Sequence, residues 1–138
     1  MLFKWKDGFS CNIEEIDQQH KKLFEIGSRL NSIVSLQDGY DHYDEIMEVL
    51  GELKDYTVYH FDYEEALLRK YGYEDLEVHE IEHKMFVEKL MKIYKKDIDG
   101  NQQKITLDVL MFVADWIAAH ILKTDMQYTG FLNTKGIH

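Results

Sequence analysis

Apolar residues recur every three or four positions along four long stretches of the chain. This spacing places apolar side chains on one face of an α-helix. Short segments that contain glycine, QDGYD, YGYED and DIDGNQ, separate the stretches. The pattern therefore predicts four amphipathic helices. Their apolar stripes run over residues 16–34, 46–68, 76–94 and 105–120.

The connections between these helices are short, so consecutive helices are expected to run antiparallel. We expect an all-α protein with a single domain over residues 1–138, in which residues 15–128 form an up-down-up-down antiparallel four-helix bundle. Residues 1–14 would form an N-terminal arm, and residues 129–138 a short C-terminal tail. Trp5 and Phe9 supply aromatic rings with which the arm can pack on the bundle.

Ionisable side chains interrupt the apolar face of every predicted helix. A single histidine on such a face is usually a hydrogen-bonded core residue, but burying many polar groups without partners is costly. Bound metal would satisfy all of them at once. The candidate ligands are His20, His60, Glu64, His79, His83, His120 and Asp125. The other two histidines, His42 and His138, are expected at the solvated surface.

The spacing of these residues supports a shared site. His60 and Glu64 are four residues apart, as are the two histidines of the third helix, which places each pair on one helix face. His120 and Asp125 are five residues apart, and a regular α-helix would turn them away from each other. We therefore expect the fourth helix to be distorted or to end between them.

Seven donors are too many for one metal ion. Five imidazoles and two carboxylates, without a thiolate, suit a pair of borderline ions such as iron. If both carboxylates and a solvent oxygen bridge the ions, the ligands fill all but about one of the ~12 positions of two octahedra. The open position would suit a small diatomic molecule.

The composition narrows the function further. The formal net charge of -10 disfavours binding to nucleic acid or to an anionic membrane surface. The single cysteine, Cys11, is expected to be a free thiol, which fits a reducing compartment. The longest apolar tract, residues 109–122, is too short to span a bilayer. No secretion signal is recognisable, so we expect a soluble cytoplasmic protein.

The segment HEIEH, at residues 79–83, matches the H-E-x-x-H signature of zinc peptidases. Glu80 and Glu82 are each expected to turn away from the direction that both histidines share, and to face solvent. A peptidase would also leave the other five candidate ligands unexplained. A ferritin-like oxidase is a closer alternative, but its Glu-x-x-His spacing occurs only once, at Glu80 and His83.

Four segments together resemble the hemerythrin family, specifically its single-domain bacterial members: IDQQHKKLF, HFDYEEALL, HEIEHKMF and WIAAHILKTD. The resemblance covers nearly the whole chain. It implies a non-haem centre of two iron ions with a bridging oxo or hydroxo group. The implied ligands are His79, His83 and His120 for one ion, His20 and His60 for the other, and Glu64 and Asp125 as bridges.

The resemblance also implies reversible binding of dioxygen, for storage, delivery or sensing, at the ion with two histidines. Leu23, Trp116 and Ile117 match positions that line the oxygen pocket in the family. We expect a monomeric oxygen-binding protein rather than an enzyme, with a redox or oxygen-consuming protein as its partner. The alternative is a di-iron redox enzyme that acts on peroxide, nitric oxide or ferrous iron, which would need a polar path to the metal.

Overall fold

The computed structural model describes residues 3–36, 38–94 and 102–138, and within these ranges it contains helices and no strand. Of the predicted breaks, Gln37 and residues 97–101 lie outside the described ranges. The elements are a short 3₁₀-helix (Asp7–Phe9), α1 (Glu14–Val34), α2 (Tyr43–Lys70), α3 (Leu76–Tyr94), α4 (Gln102–His120), a π-helical segment (Ile121–Asp125) and α5 (Met126–Thr134). The four long helices, α1 to α4, match the four predicted ones.

The four long helices form the predicted bundle. α1 packs against α2 and α4, and α3 also packs against α2 and α4, so each helix has two neighbours. The inward stripes supply a core whose burial stabilises the helices far more than their intrinsic propensity does. No helix in the described ranges combines the length and the hydrophobicity needed to cross a bilayer. Fully buried core residues include Ile26, Leu30, Leu53, Leu90, Leu110 and Val113.

The YGYED segment ends α2 through its glycine. Gly72 has a φ of 72°, a left-handed conformation that glycine adopts without a Cβ penalty. The backbone N–H of Tyr73 donates to the carbonyl oxygen of Leu68 at 3.0 Å, across that turn. This bond closes the C-terminus of α2, and the chain turns directly into α3.

The N-terminal arm packs on α1 through aromatic rings. The ring centroids of Trp5 and Phe9 lie 5.7 Å and 5.2 Å from that of Phe24, which confirms their predicted anchoring role. Cys11 is a free thiol, as expected, and is buried. Its backbone N–H donates to the carboxylate of Asp17 at 2.7 Å. Asp17 lies in the first turn of α1, where a negative charge interacts favourably with the helix dipole.

The helical path does not stop at the end of α4. A π-helical segment follows, which confirms the distortion predicted for this part of the chain. α5 then continues to Thr134, so the first residues of the stretch predicted as a tail are helical. This helix buries Tyr128 and Leu132 completely. The end of the chain is therefore part of the packed structure.

Candidate metal centre

The seven candidate ligands meet in the middle of the bundle. Each occupies an inward position of its helix, and none of the seven residues is more than 6% exposed. The stripes of the four helices therefore converge on one polar cluster inside an apolar core. The ligands are His20 on α1, His60 and Glu64 on α2, His79 and His83 on α3, His120 at the end of α4, and Asp125 at the end of the π-helical segment.

The donor atoms fall into two adjacent groups, each with its atoms within 4.8 Å of one another. We call them the two-histidine side and the three-histidine side. Both carboxylates belong to both groups. Nε2 of His83 lies 3.0 Å from Nε2 of His120, which adds His83 to the second side. The two-histidine side contains His20 and His60, and the three-histidine side contains His79, His83 and His120.

Glu64 presents one carboxylate oxygen to each side. Its Oε2 lies 3.2 Å from Nε2 of His60, on the two-histidine side. Its Oε1 lies 3.2 Å from Nε2 of His83 and 3.6 Å from Nε2 of His79, on the three-histidine side. This is the arrangement expected of a carboxylate that bridges two cations.

Asp125 spans the two sides in the same way. Its Oδ2 lies 3.3 Å from Nε2 of His20, and its Oδ1 lies 3.1 Å and 3.0 Å from Nε2 of His79 and His120. The π-helical segment explains how a residue five positions after His120 faces the same centre, because a π turn closes between residues i and i+5. The local distortion of the helix therefore brings a second carboxylate between the two sides.

The inward-facing atoms lack adequate partners within the protein. Nε2 of His20 lies 3.1 Å from Nε2 of His60, and only one nitrogen of such a pair can carry the shared proton. Oε1 of Glu64 and Oδ2 of Asp125 are buried without a well-formed hydrogen bond in the described part of the chain, although ring nitrogens lie 3.2 Å and 3.3 Å from them. Unpaired buried carboxylate oxygens are costly, and cations between the two sides would satisfy them.

Burial and these contacts together shift the pKa values of Glu64, His83 and His60. Burial and the charge of Asp125 oppose ionisation of Glu64, but hydrogen bonds from His60 and His83 outweigh them and lower its pKa to about 2. Burial disfavours the charged form of His83, yet its bonds to Glu64 and Glu65 raise its pKa to about 9. Burial lowers the pKa of His60. The carboxylate of Glu64 is therefore held ionised and suited to cations.

Two polar residues hold the outward Nδ1 atoms of ligand histidines. Nδ1 of His83 lies 2.8 Å from Oε2 of Glu65, and Nδ1 of His60 lies 2.6 Å from Oε1 of Gln19. Such bonds fix the orientation and the tautomer of a ligand ring. The hydrophobic pattern did not reveal Gln19 or Glu65. The available signal was their position in the sequence, directly beside His20 and Glu64.

Glu82 contacts His120 while its side chain remains 38% exposed, so the prediction of a merely solvent-facing residue is incomplete. Its Oε2 lies 2.7 Å from Nδ1 of His120 and accepts a hydrogen bond from Oγ1 of Thr124 at 2.9 Å. The helical rotation turns Glu82 away from the two histidines of α3, as predicted. That direction leads to the end of α4, and the period of α3 alone cannot show where α4 lies. Glu80 pairs with Arg69 at 3.0 Å on the surface, as expected for a solvated residue.

Tyr128 of α5 contacts the carboxylate of Glu64. Its hydroxyl group donates to Oε2 of Glu64 at 3.2 Å, and the residue is completely buried. Burial and the negative charge of Glu64 raise the pKa of Tyr128 well above its usual value, so the phenol remains a neutral donor. The sequence pattern missed this residue because it stands at the predicted end of the bundle.

Apolar and aromatic groups surround the centre. Of the predicted pocket residues, Leu23 and Ile117 are buried, one helical turn from His20 and His120 respectively. The indole of Trp116 stacks on the ring of His120, with centroids 4.5 Å apart and an interplanar angle of 11°. These groups place apolar and aromatic surface beside the candidate ligands.

The two remaining histidines lie outside the centre. His42 precedes α2 and contacts carboxylates of Asp38 at 2.9 Å and Glu45 at 3.1 Å. His138 is exposed at the end of the chain. The expectation of a surface position fits His138, whereas the side chain of His42 is only 13% exposed.

The sequence profile described as "Hemerythrin HHE cation binding domain" matches residues 11–132. The chain belongs to the hemerythrin family. A bacteriohemerythrin from Clostridium acetobutylicum is 40% identical over 127 residues, which cover 92% of this chain and 98% of the relative. Another, from Methylococcus capsulatus, is 32% identical over 120 residues, which cover 87% of this chain and 88% of the relative.

Solved hemerythrin structures resemble this chain in fold as well as in sequence. A crystal structure of wild-type hemerythrin has a TM-score of 0.80 and 30% identity, and the match covers 92% of this chain and 95% of that one. That of an L114A mutant has a TM-score of 0.81, also at 30% identity, over 94% and 97% of the two chains. The bundle is therefore that of a hemerythrin.

The residues present fit two metal ions. Imidazole and carboxylate donors suit iron and similar borderline ions. Cys11 has its donor atom within 4.8 Å of those of Asp17 and His20, but burial raises the pKa of its thiol, so a thiolate ligand is disfavoured. The donor set is thus one of nitrogen and oxygen, as expected for a non-haem centre.

Proposed function

We propose that this hemerythrin binds dioxygen reversibly at a non-haem di-iron centre. The observation that carries the proposal is the placement of both carboxylates, each of which offers one oxygen to either side of the cluster. Bound iron would supply the reversible electron transfer that dioxygen binding needs. His79, His83 and His120 would hold one ion and His20 and His60 the other, with Glu64 and Asp125 as bridges.

The unequal number of histidines supports an open coordination position. The two-histidine side has one nitrogen donor fewer, so a small ligand would bind there. Buried apolar residues, Leu23 and Ile117 among them, would line the pocket and exclude water and protons. Exclusion of water favours reversible binding over turnover.

The biological role we propose is storage, delivery or sensing of dioxygen in the cytoplasm, by a monomer that works with a redox or oxygen-consuming protein. The free thiol of Cys11 is compatible with a reducing compartment. The formal net charge of -10 provides no attraction to nucleic acid or to anionic lipid.

A di-iron redox enzyme that acts on peroxide, nitric oxide or ferrous iron is the second candidate. One observation favours it. Glu65 and Glu82 contact ligand histidines, and their side chains are 20% and 38% exposed, so they connect the centre to solvent. Carboxylates in these positions could deliver the protons that turnover requires.

An absorption spectrum distinguishes the two functions. Protein loaded with Fe²⁺ under anaerobic conditions would be exposed to air and then stripped of oxygen. A reversible carrier develops visible charge-transfer bands that vanish when oxygen is removed. Rapid conversion to a stable ferric form, with consumption of added peroxide, would favour the enzyme. Protein with two iron ions and no oxygen-dependent band would contradict dioxygen binding.

A further inference from the structure

The histidines of the centre differ in the group that contacts their outward nitrogen, Nδ1. On the three-histidine side, Nδ1 of His83 lies 2.8 Å from a carboxylate oxygen of Glu65. On the same side, Nδ1 of His120 lies 2.7 Å from a carboxylate oxygen of Glu82. Two of the three rings therefore rest against negatively charged acceptors.

On the two-histidine side, no ring nitrogen in the described part of the chain is hydrogen-bonded to an outer carboxylate. Nδ1 of His60 lies 2.6 Å from the neutral amide oxygen of Gln19. Nδ1 of His20 has no hydrogen-bond partner among the described residues. A carboxylate oxygen of Asp17 lies within 4.8 Å of His20, but this carboxylate accepts hydrogen bonds from the N-terminal arm. The two sides thus differ in whether a carboxylate is hydrogen-bonded to the outward nitrogen, Nδ1, of a ligand ring.

We propose that Glu65 and Glu82 are positioning residues that make the three-histidine side the tighter metal site, which fills before the other. The inference rests on the proposed di-iron function. A carboxylate that accepts from Nδ1–H keeps the proton on that nitrogen, turns the Nε2 lone pair to the ion and makes the ring more basic. A neutral amide fixes the tautomer but adds no charge, so its effect on His60 is smaller.

Glu82 also contacts the segment that carries Asp125. Besides contacting His120, its Oε2 accepts a hydrogen bond from Oγ1 of Thr124 at 2.9 Å. Thr124 directly precedes the bridging Asp125 in the π-helical segment. Glu82 therefore ties α3 to the distorted segment.

The HEIEH segment contains a matched control for this inference. Glu80 and Glu82 stand two residues apart on the same helix, and their side chains are 40% and 38% exposed. Glu80 pairs with Arg69 on the surface, whereas Glu82 contacts His120. A difference between E80Q and E82Q therefore reports the contact with the ligand and not the loss of a surface charge.

The test is an anaerobic titration of the metal-free protein with Fe²⁺, in which the heat of binding is measured by calorimetry. We expect two binding steps for the wild-type protein. Because outer partners of ligand histidines typically contribute ~10-fold to 100-fold in metal affinity, E82Q and E65Q should each weaken the tighter step by about that factor. E80Q should leave both steps unchanged. Q19E, which adds a charge behind His60, should strengthen the weaker step.

Equal affinities for the wild type, E80Q, E65Q and E82Q would overturn the inference, as would a loss confined to the weaker step. A wild-type protein that binds fewer than two Fe²⁺ ions would overturn the proposed function, and this inference with it. Proton NMR of the zinc-loaded protein gives a second readout. The Nδ1–H signal of His120 should move upfield in E82Q and not in E80Q. An unchanged signal would show that Glu82 does not act through His120.

Discussion

The hydroxyl group of Tyr128 should stabilise the protein mainly when the metal is absent. It donates to Oε2 of Glu64 from a fully buried position on α5. The substitution Tyr128→Phe removes this donor and keeps the ring, so packing against the neighbouring Tyr73 ring is retained. The variant therefore isolates one hydrogen bond to a buried, ionised carboxylate.

The size of the effect follows from what remains around the acceptor. A hydrogen bond to a charged group contributes about 1.5–3 kcal/mol. Oε2 of Glu64 also faces Nε2 of His60 at 3.2 Å, so one partner remains and the lower end of that range applies. With an m-value of roughly 2 kcal/mol/M, a loss of about 1.5 kcal/mol lowers the urea midpoint by about 0.7 M. In the iron-loaded protein the cations share the charge of Glu64, so the loss should be smaller.

The assay is urea unfolding of the metal-free and the iron-loaded protein, monitored by circular dichroism. Tyr59→Phe is the control, because Tyr59 is on the same helix as Glu64 but is 54% exposed. Its midpoint should match that of the wild type. An unchanged midpoint for metal-free Tyr128→Phe would refute the reasoning, as would an equal loss in both forms, since the bond would then be independent of the charge on Glu64.

Three further predictions concern other parts of the molecule. Glu64→Ala should bind fewer than two iron ions and unfold at lower denaturant, because the remaining buried ligands lose a shared partner; two bound ions at full stability would disprove the bridging role. His42 should titrate above 6.5 by NMR, because hydrogen bonds to Asp38 and Glu45 raise its pKa. The stabilisation by protonated His42 is therefore complete below the unfolded pKa and is lost as pH rises through the folded pKa. If the pKa of His42 in Asp38→Asn were as high as in the wild type, this reasoning would be contradicted. Gly27→Ala should destabilise the protein in thermal unfolding, because the added Cβ would overlap the buried ring of Phe3. Loss of that burial costs about 1.5–3 kcal/mol, more than the gain of about 1 kcal/mol in helix propensity, and unchanged thermal stability would show that the arm adapts.

The spacing of residues along one helix predicted most of the fold and which candidate ligands face the core. His60 and Glu64 had to share a face because they are four residues apart, and the structure places both in the core. The interval between His120 and Asp125 predicted a distortion, and a π-helical segment lies there. These features are local, because the helical period alone fixes which side chains share a face.

The residues that contact ligands from a neighbouring helix could not be predicted in this way. Glu82 looked like a solvated residue on α3, and its role depends on where the end of α4 passes. Tyr128 reaches Glu64 only because α5 folds back into the bundle. The contrast between Glu80 and Glu82 has the same origin, since each residue lies between Ile81 and one histidine in the sequence.

The sequence by itself determined that this protein has four amphipathic helices with seven inward-facing donors, because burial of an apolar stripe carries its polar members into the core. Only the tertiary structure decided how the donors divide into two sides, which oxygen of Glu64 and Asp125 faces each side, and which carboxylates support the ligand histidines. Those features depend on distances between helices, and the packing of side chains from different helices sets these distances.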